Sequence, residues 1–528
     1  MTPKPIVRSR LGDLESKVEQ QRRALAASRA VRRVWERDHT LWSDSPTEIT
    51  DRLGWLDVPA EILGAVDEVN SFVAGCRGDG LKDVVVMGMG GSSLFPEVLA
   101  RSFDAGDVDD DGDTGLKIHV LDSTDPEAVG HIAAQLDPST TLYLAASKSG
   151  TTIETRSHLD FFWARVNRGE NFAAITDPGS ELASLARERQ FRWVFENRSD
   201  IGGRYSALSY FGLVPAALAG IHWTEMVSRA VHRRDEFMSD DPTINAALEL
   251  GAILAAAVLA GRDKITILAD PKIDSFGLWL EQLLAESTGK NSTGVIPIVD
   301  EPLGPIDVYG DDRVFVTIGD SGHGAGLEAL ADSGHPVIEM SITDPLDLGT
   351  QVLLWELATA LCGAALRINP FDQPNVAEAK AATNSVLESS DRQPLPQASL
   401  DEVLGTLKRG DYIAVQIYAD PRSAQVERLQ ELRLELRDRH RVATTFGIGP
   451  RFLHSTGQLH KGGPPTGVFI QVVSDDGIDA HIPSQPFGFS QLKWAQADGD
   501  LLTLHRHGLR VARTSISEIE NHLASAVH

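Results

Sequence analysis

Two stretches of the sequence end an apolar run in a cluster suited to holding an anion. In "VVVMGMGGSSLF", Gly88, Gly90, Gly91, Ser92 and Ser93 follow residues of strand type. In "LYLAASKSGTTIET", Ser147, Lys148, Ser149, Gly150, Thr151 and Thr152 do the same. Glycines let the main chain approach a ligand closely, and amides at a helix start carry roughly half a positive charge. Hydroxyls add donors without adding net charge. A phosphate monoester fits such a cluster. The competing reading is that the hydroxyls only cap the helices that follow. Two clusters on strands of one sheet favour a ligand.

Three further stretches carry groups that could act on such a ligand. "DIGGRYSALS" sets Arg204 after two glycines, "GLWLEQLLAESTGKNSTG" sets Glu286 at the end of an apolar helix, and "INPFDQPNVAEAK" offers Asn369, Asp372, Gln373 and Lys380. Taken singly, each reads as a surface or helix-end charge. Together they match the needs of aldose–ketose isomerisation of a sugar phosphate. One carboxylate moves a proton between adjacent carbons, a cation stabilises the enediolate, and further groups open the ring. An arginine in the cationic role removes the need for a metal, and no metal-ligand spacing stands out. No cofactor is expected. Other phosphate and nucleophile motifs fit poorly. The dinucleotide fingerprint needs a glycine where Ser93 stands. A nucleotide phosphate loop needs glycine at Leu284 and Ser or Thr at Asn291, and a nucleophile elbow needs glycine at Leu94.

The elements that must position these groups read as α/β. "DVVVMG", "LKIHVLD", "LYLAAS" and "NFAAITD" alternate with helical periods up to about residue 225, and "KITILAD", "RVFVTIG" and "PVIEMSI" do so again to about 390. Alternation of this kind predicts doubly wound parallel sheets. Residues 10 to 40 predict helix. After a linker at "ESSDRQPLPQASLDEV" come "YIAVQIYAD", a charged helix, "VATTFGIG" and "GVFIQVVS", a smaller α/β module. The expected division is 1–75 helical, 76–229 and 230–392 as two α/β domains, and 393–528 as the module. The 528 residues carry 75 acidic and 49 basic side chains, a net charge of -26, which argues against nucleic acid or an anionic membrane as partner. Two cysteines and a start without an apolar core predict a reducing, cytoplasmic setting. The apolar "INAALELGAILAAAVLAG" carries Glu249 and reads as a buried helix rather than a membrane span.

In their order, "GMGGSSL", "SKSGTTIET", "GGRYSALS", "EQLLAESTGK" and "NPFDQPNVAEAK" resemble the phosphoglucose isomerase family, built from two sugar-isomerase domains. The flanks are similar to the isomerase half of bacterial fused transaldolase–phosphoglucose isomerases. The resemblance implies cofactor-independent interconversion of glucose 6-phosphate and fructose 6-phosphate by a homodimer. It implies Gly91 and Ser92 at the sugar and phosphate, and Ser147, Lys148, Ser149 and Thr152 as phosphate clamp, with Glu154 nearby. It further implies Arg204 at the enediolate, Gln282 at sugar or phosphate, Glu286 as base, Gln373 at phosphate and Lys380 in ring opening. The family's ring-opening histidine has no counterpart in "VIPIVDEPLGPIDVYGDD". His323, His335, His454 and His460 are the alternatives, and His454 is the expected substitute. A dual phosphoglucose/phosphomannose isomerase and a non-catalytic sugar-phosphate-binding regulator are the competing functions. Glu286 speaks against the second, because a sensor needs no base there.

Overall fold

Apolar side chains pointing to both faces of each strand set the layers. In the computed structural model, which describes residues 6–103, 115–388, 395 and 398–525, the strands fall into three sheets. The first described element is β1 (Ile6–Arg10), followed by helices Glu15–Ala27, Ala30–Trp35 and Val66–Gly78. The first sheet contains β2 (Asp83–Met87), β3 (Lys117–Leu121), β4 (Thr141–Ala146), β5 (Phe172–Thr176) and β6 (Trp193–Glu196), all parallel, in the order β3-β2-β4-β5-β6. Val84, Val86, Leu142 and Leu144 enter one core, while Val85, Met87, Tyr143 and Ala145 enter another on the opposite face. Both faces are covered, as a doubly wound sheet requires.

The second sheet contains β7 (Lys264–Ala269), β8 (Ile296–Ile298), β9 (Arg313–Ile318) and β10 (Val337–Met340), which are parallel. β1 joins its edge antiparallel to β10, for an order of β1-β10-β9-β7-β8. The helical reading of the N-terminal segment thus gains a strand. With two arginines and a serine among its five residues, "IVRSR" suits an edge more than it signals a core. Arg22, from helix Glu15–Ala27, donates to both carboxylate oxygens of Glu249 at 2.7 and 2.5 Å, which satisfies the one charge in the apolar helix Ala246–Leu259. Helix Leu348–Leu366, with the turn before it, is long and apolar enough to cross a membrane, but 89% of that apolar window lies buried in the protein.

The module's sheet holds β11 (Tyr412–Tyr418), β12 (Ala443–Ile448), β13 (Gly467–Val473) and β14 (Arg510–Arg513), all parallel, in the order β12-β11-β13-β14. Besides β1, the strands the sequence did not announce are β6, β8 and β14. β8 has three residues centred on a proline, β6 is a partly exposed edge, and β14 carries an arginine at each end. Of the expected linker, residues 389–394, 396 and 397 lie outside the described residues.

The module touches both larger sheets. Leu459 and Phe469 share a core with Ala285, Ile296 and Ile298 of the second unit. Phe489 and Leu492, from helix Phe489–Arg506, pack with Tyr143 and Phe161 on the first. Between these contacts Lys493 is fully buried, pairing with Asp125 at 3.0 Å and with Asp476, and donating to Ser474 O at 2.9 Å. Removing one partner of a buried charge pair leaves the other uncompensated, which costs about 3–5 kcal/mol. Lys493→Met is expected to destabilise the protein on that scale in urea titration. An unchanged midpoint would mean that the lysine does not secure the docking.

Candidate active site

In the strand order of the first sheet, the connections from β2 and β4 diverge, and ligands bind beyond the carboxyl ends of strands at such a switch point. Both expected clusters lie there. Met87 pairs with Ala145, so the loops that follow leave neighbouring strands side by side. Helices Leu94–Ser102 and Ile153–Val166 begin directly after them, yet neither Ser93 nor Thr152 makes a side-chain capping bond. The Ser93 hydroxyl instead lies 3.2 Å from Gly90 O and 3.2 Å from Asp122 Oδ2. The Thr152 hydroxyl lies 3.2 Å from that of Ser147, which accepts from the Gly150 N–H at 3.1 Å. Ser149 and Thr151 pair through their hydroxyls at 2.9 Å. The Lys148 ammonium turns to Asp177, at 3.0 Å, and to Ser199 O.

Two glycines permit the close approach of the other elements. Gly90 has φ +54°, and a Cβ there would stand 2.7 Å from Gln282 Nε2 and 2.8 Å from His454 O. A Cβ on Gly91 would stand 1.9 Å from Gly203 O, next to Arg204. The glycine loop therefore meets Gln282, His454 and the Arg204 turn at once.

Glu286 reaches this place on helix Phe276–Thr288, which is buried along its length. The helix connects parallel strands β7 and β8, so its carboxyl end lies at the amino edge of its own sheet and projects towards the first. Arg204 Nη1 lies 3.2 Å from Glu286 Oε1, and the two side chains are 2% and 8% exposed. The remaining arginine nitrogens donate to Ser287 Oγ at 2.8 Å, Pro370 O at 2.7 Å and Asp372 O at 2.9 Å. Gln282, one turn before Glu286, donates to Glu286 Oε2 at 3.1 Å and to His454 O at 2.8 Å. Lys290 follows the helix end and donates to Asn369 O, Asp372 O and Asp372 Oδ1 at 2.8, 2.7 and 2.5 Å. Burial, together with the nearby Arg204 charge, pulls its ammonium down to about 8 despite Asp372 and Glu286.

His454 comes from the module, in the turn Arg451–His454 after β12. Its Nε2 lies 3.0 Å from Glu154 Oε1. Burial pushes the Glu154 carboxyl up, but the attraction and hydrogen bond of His454 outweigh it and hold the group below its ordinary value. Arg451, in the same turn, grips Asp122 with two nitrogens at 2.7 and 2.9 Å, fixing the turn to the exit of β3. His460, by contrast, is buried between Phe452 and Phe469, and burial drives its imidazole down to about 3.

Gly91, Glu154, Arg204, Gln282, Glu286 and His454 are thus linked by contacts, with Ser92 on the glycine loop and Ser147, Ser149 and Thr152 on the loop that leads to Glu154. Gln373 is exposed in the loop whose carbonyls receive Arg204 and Lys290. Lys380 lies in helix Val376–Glu388, and its side chain is outside the described residues. Sequence reasoning missed Lys290, Arg451 and Gln458. Lys290 had a signal, since it closes the same "ESTGK" motif as Glu286. Gln458 had none: it holds Gly289 O at 3.0 Å and Asn375 Oδ1 at 2.8 Å, a role created by packing alone. Among the described residues no three His, Cys, Asp or Glu side chains gather as a metal site.

This architecture has counterparts among solved structures. A glucose-6-phosphate isomerase from Chlamydia trachomatis superposes with TM-score 0.56 at 19% identity, covering 71% of this chain and 85% of that one. A hypothetical protein from Thermus thermophilus superposes with TM-score 0.61 at 23% identity, covering 72% of this chain and all of that one. In sequence, the phosphoglucose isomerase family matches residues 18–314, and the chain belongs to that family. A glucose-6-phosphate isomerase from Cyanothece sp. is 27% identical over 425 residues, 68% of this chain and 79% of that one.

Glu281, beside Gln282, is also buried, with Ser455 Oγ donating to it at 3.4 Å. Burial, aided by Asp300, pushes its carboxyl up from 4.5 to about 8 against Arg433 and Arg451. The folded protein therefore holds this proton where the unfolded chain has lost it. The stability that the raised value confers is complete below about pH 4.5, declines as pH rises, and is gone above about 8. Glu281→Gln, which cannot titrate, should gain stability over the parent across that window, read from paired urea titrations. A difference that stays flat with pH would show that the carboxyl is not protonated in the fold.

Proposed function

We propose that the protein interconverts glucose 6-phosphate and fructose 6-phosphate through an enediolate, with Glu286 as the base. The observation that carries this reading is the buried carboxylate of Glu286, held by Arg204 and by Gln282, whose amide lies against Gly90 of the glycine loop. Family membership supports the reaction, and the curated relative bears that activity as its name.

The phosphate lies against the Ser147–Thr152 loop, with Lys148 contributing its main-chain amide because its ammonium is held by Asp177. Gly91 and Ser92 border the sugar, Gln282 contacts it, and Gln373 reaches the phosphate. His454, oriented by Glu154, protonates the ring oxygen, and Lys380 assists ring opening. Glu286 then takes the C2 proton and returns it at C1. The Arg204 guanidinium, fixed by Ser287 and two carbonyls, faces the negative charge that develops on the sugar oxygens. Fixed donors of this kind need no reorganisation when charge appears, which is why they lower the barrier. A homodimer belongs to this reading, as the resemblance implies, although every residue named here belongs to one chain. So does a reducing compartment, which the two buried, unpaired cysteines Cys76 and Cys362 support.

A coupled assay on fructose 6-phosphate, with and without a chelator, tests the reaction. Chelator-insensitive formation of glucose 6-phosphate is expected, and its absence sinks the reading. Glu286→Gln should bind phosphosugar nearly as before while turnover falls at least about a hundredfold, the usual share of a general base. Wild-type turnover in that variant would remove Glu286 from the role. Ser147→Ala combined with Thr152→Ala should act chiefly on KM, because clamp contacts exist in both ground and transition states. If KM stays put, the phosphate binds elsewhere.

A further inference from the structure

We propose that Gln496 is a positioning residue for ring opening: the module's helix sets its carboxamide between Thr124 and Glu154, and so fixes the carboxylate that orients His454. This rests on the reading of His454 as the ring-opening group.

Gln496 is 2% exposed on helix Phe489–Arg506. The Thr124 hydroxyl, buried just after β3, donates to Gln496 Oε1 at 2.6 Å. With that oxygen taken by a donor, the amide nitrogen must face the other way, and it donates to Glu154 Oε1 at 2.7 Å. The same carboxylate oxygen receives His454 Nε2 at 3.0 Å. One rotation of the Glu154 carboxylate would therefore break both bonds together, and Gln496 opposes that rotation. The helix is itself immobilised one turn earlier, where Lys493 pairs with Asp125 and Asp476, and by Phe489 and Leu492 in the core. His158, on the same helix as Glu154, does not compete. Burial pulls it down to about 4, and its Nε2 is spent on Ser123 O at 2.9 Å. A line of contacts from the β3 exit to the histidine thus runs through a residue of the module, far outside the matched residues 18–314.

The test compares turnover of cyclic glucose 6-phosphate with C2-proton exchange in a hexose phosphate unable to cyclise. Gln496→Leu should cut the first about tenfold, the worth of one hydrogen bond to a charged group. It should leave KM and the exchange rate within about twofold, since its atoms are engaged by protein. Thr124→Val, which removes only the hydroxyl that orients the amide, should act in the same direction. His454→Gln should slow the cyclic sugar selectively, and adding Gln496→Leu to it should cost nothing more, because the two act as one unit. If His454→Gln leaves the cyclic rate intact, the histidine reading fails, and this proposal with it. If His454→Gln is selective while Gln496→Leu is silent, slows both assays equally or adds its full loss to the double variant, only the positioning role is overturned.

Discussion

The site depends on an ion pair removed from water. Taking Arg204 and Glu286 out of solvent carries a penalty of several kcal/mol per ion, which attraction repays only when the remaining donors and acceptors are satisfied. Here Nε and Nη2 of the guanidinium donate to Ser287 and to the carbonyls of Pro370 and Asp372, and the carboxylate receives Gln282. These partners sit on the helix of the second sheet and on the loop after helix Leu348–Leu366. Satisfying one arginine therefore ties the first sheet's exit loop to two elements of the second. Lys290 repeats the device, sharing the Asp372 carbonyl and adding that of Asn369, and sets a cation at the helix's negative end.

A protein with a net charge of -26 has few spare cations at this place: Arg204, Lys290 and Arg451 each already face a carboxylate, of Glu286, Asp372 and Asp122. What it can offer an anion there is helix starts whose amides are not consumed by the neighbouring hydroxyls. The module then closes the arrangement. It packs on both sheets and brings His454 and Arg451 to the first sheet's loops through one short turn.

The sheets, the two anion-suited loops and the helix bearing Glu286 were legible in the sequence because each is local. A strand, a glycine turn and a helix period lie within a dozen or so residues. The short or edge strands β1, β6, β8 and β14 were not, because three to five residues with charged or proline members carry no period. Arg451 and Gln496 were illegible for another reason. Their importance comes from partners 329 and 342 positions away, and nothing in their own neighbourhood marks them. His454 was named from a glycine-rich loop, but its contact with Glu154, 300 positions earlier, could be found only in three dimensions.

That separation has a temporal side. During synthesis at about 5–20 residues per second, the Ser147–Thr152 loop leaves the ribosome on the order of 20–70 s before the helix that carries Gln496. Throughout that interval the first sheet can already wrap its own strands, while Glu154 waits in water for an imidazole and an amide not yet made. The nascent protein thus makes its hydroxyl-rich loop first, Arg204 and Glu286 next, and the two partners of Glu154, His454 and Gln496, last of all.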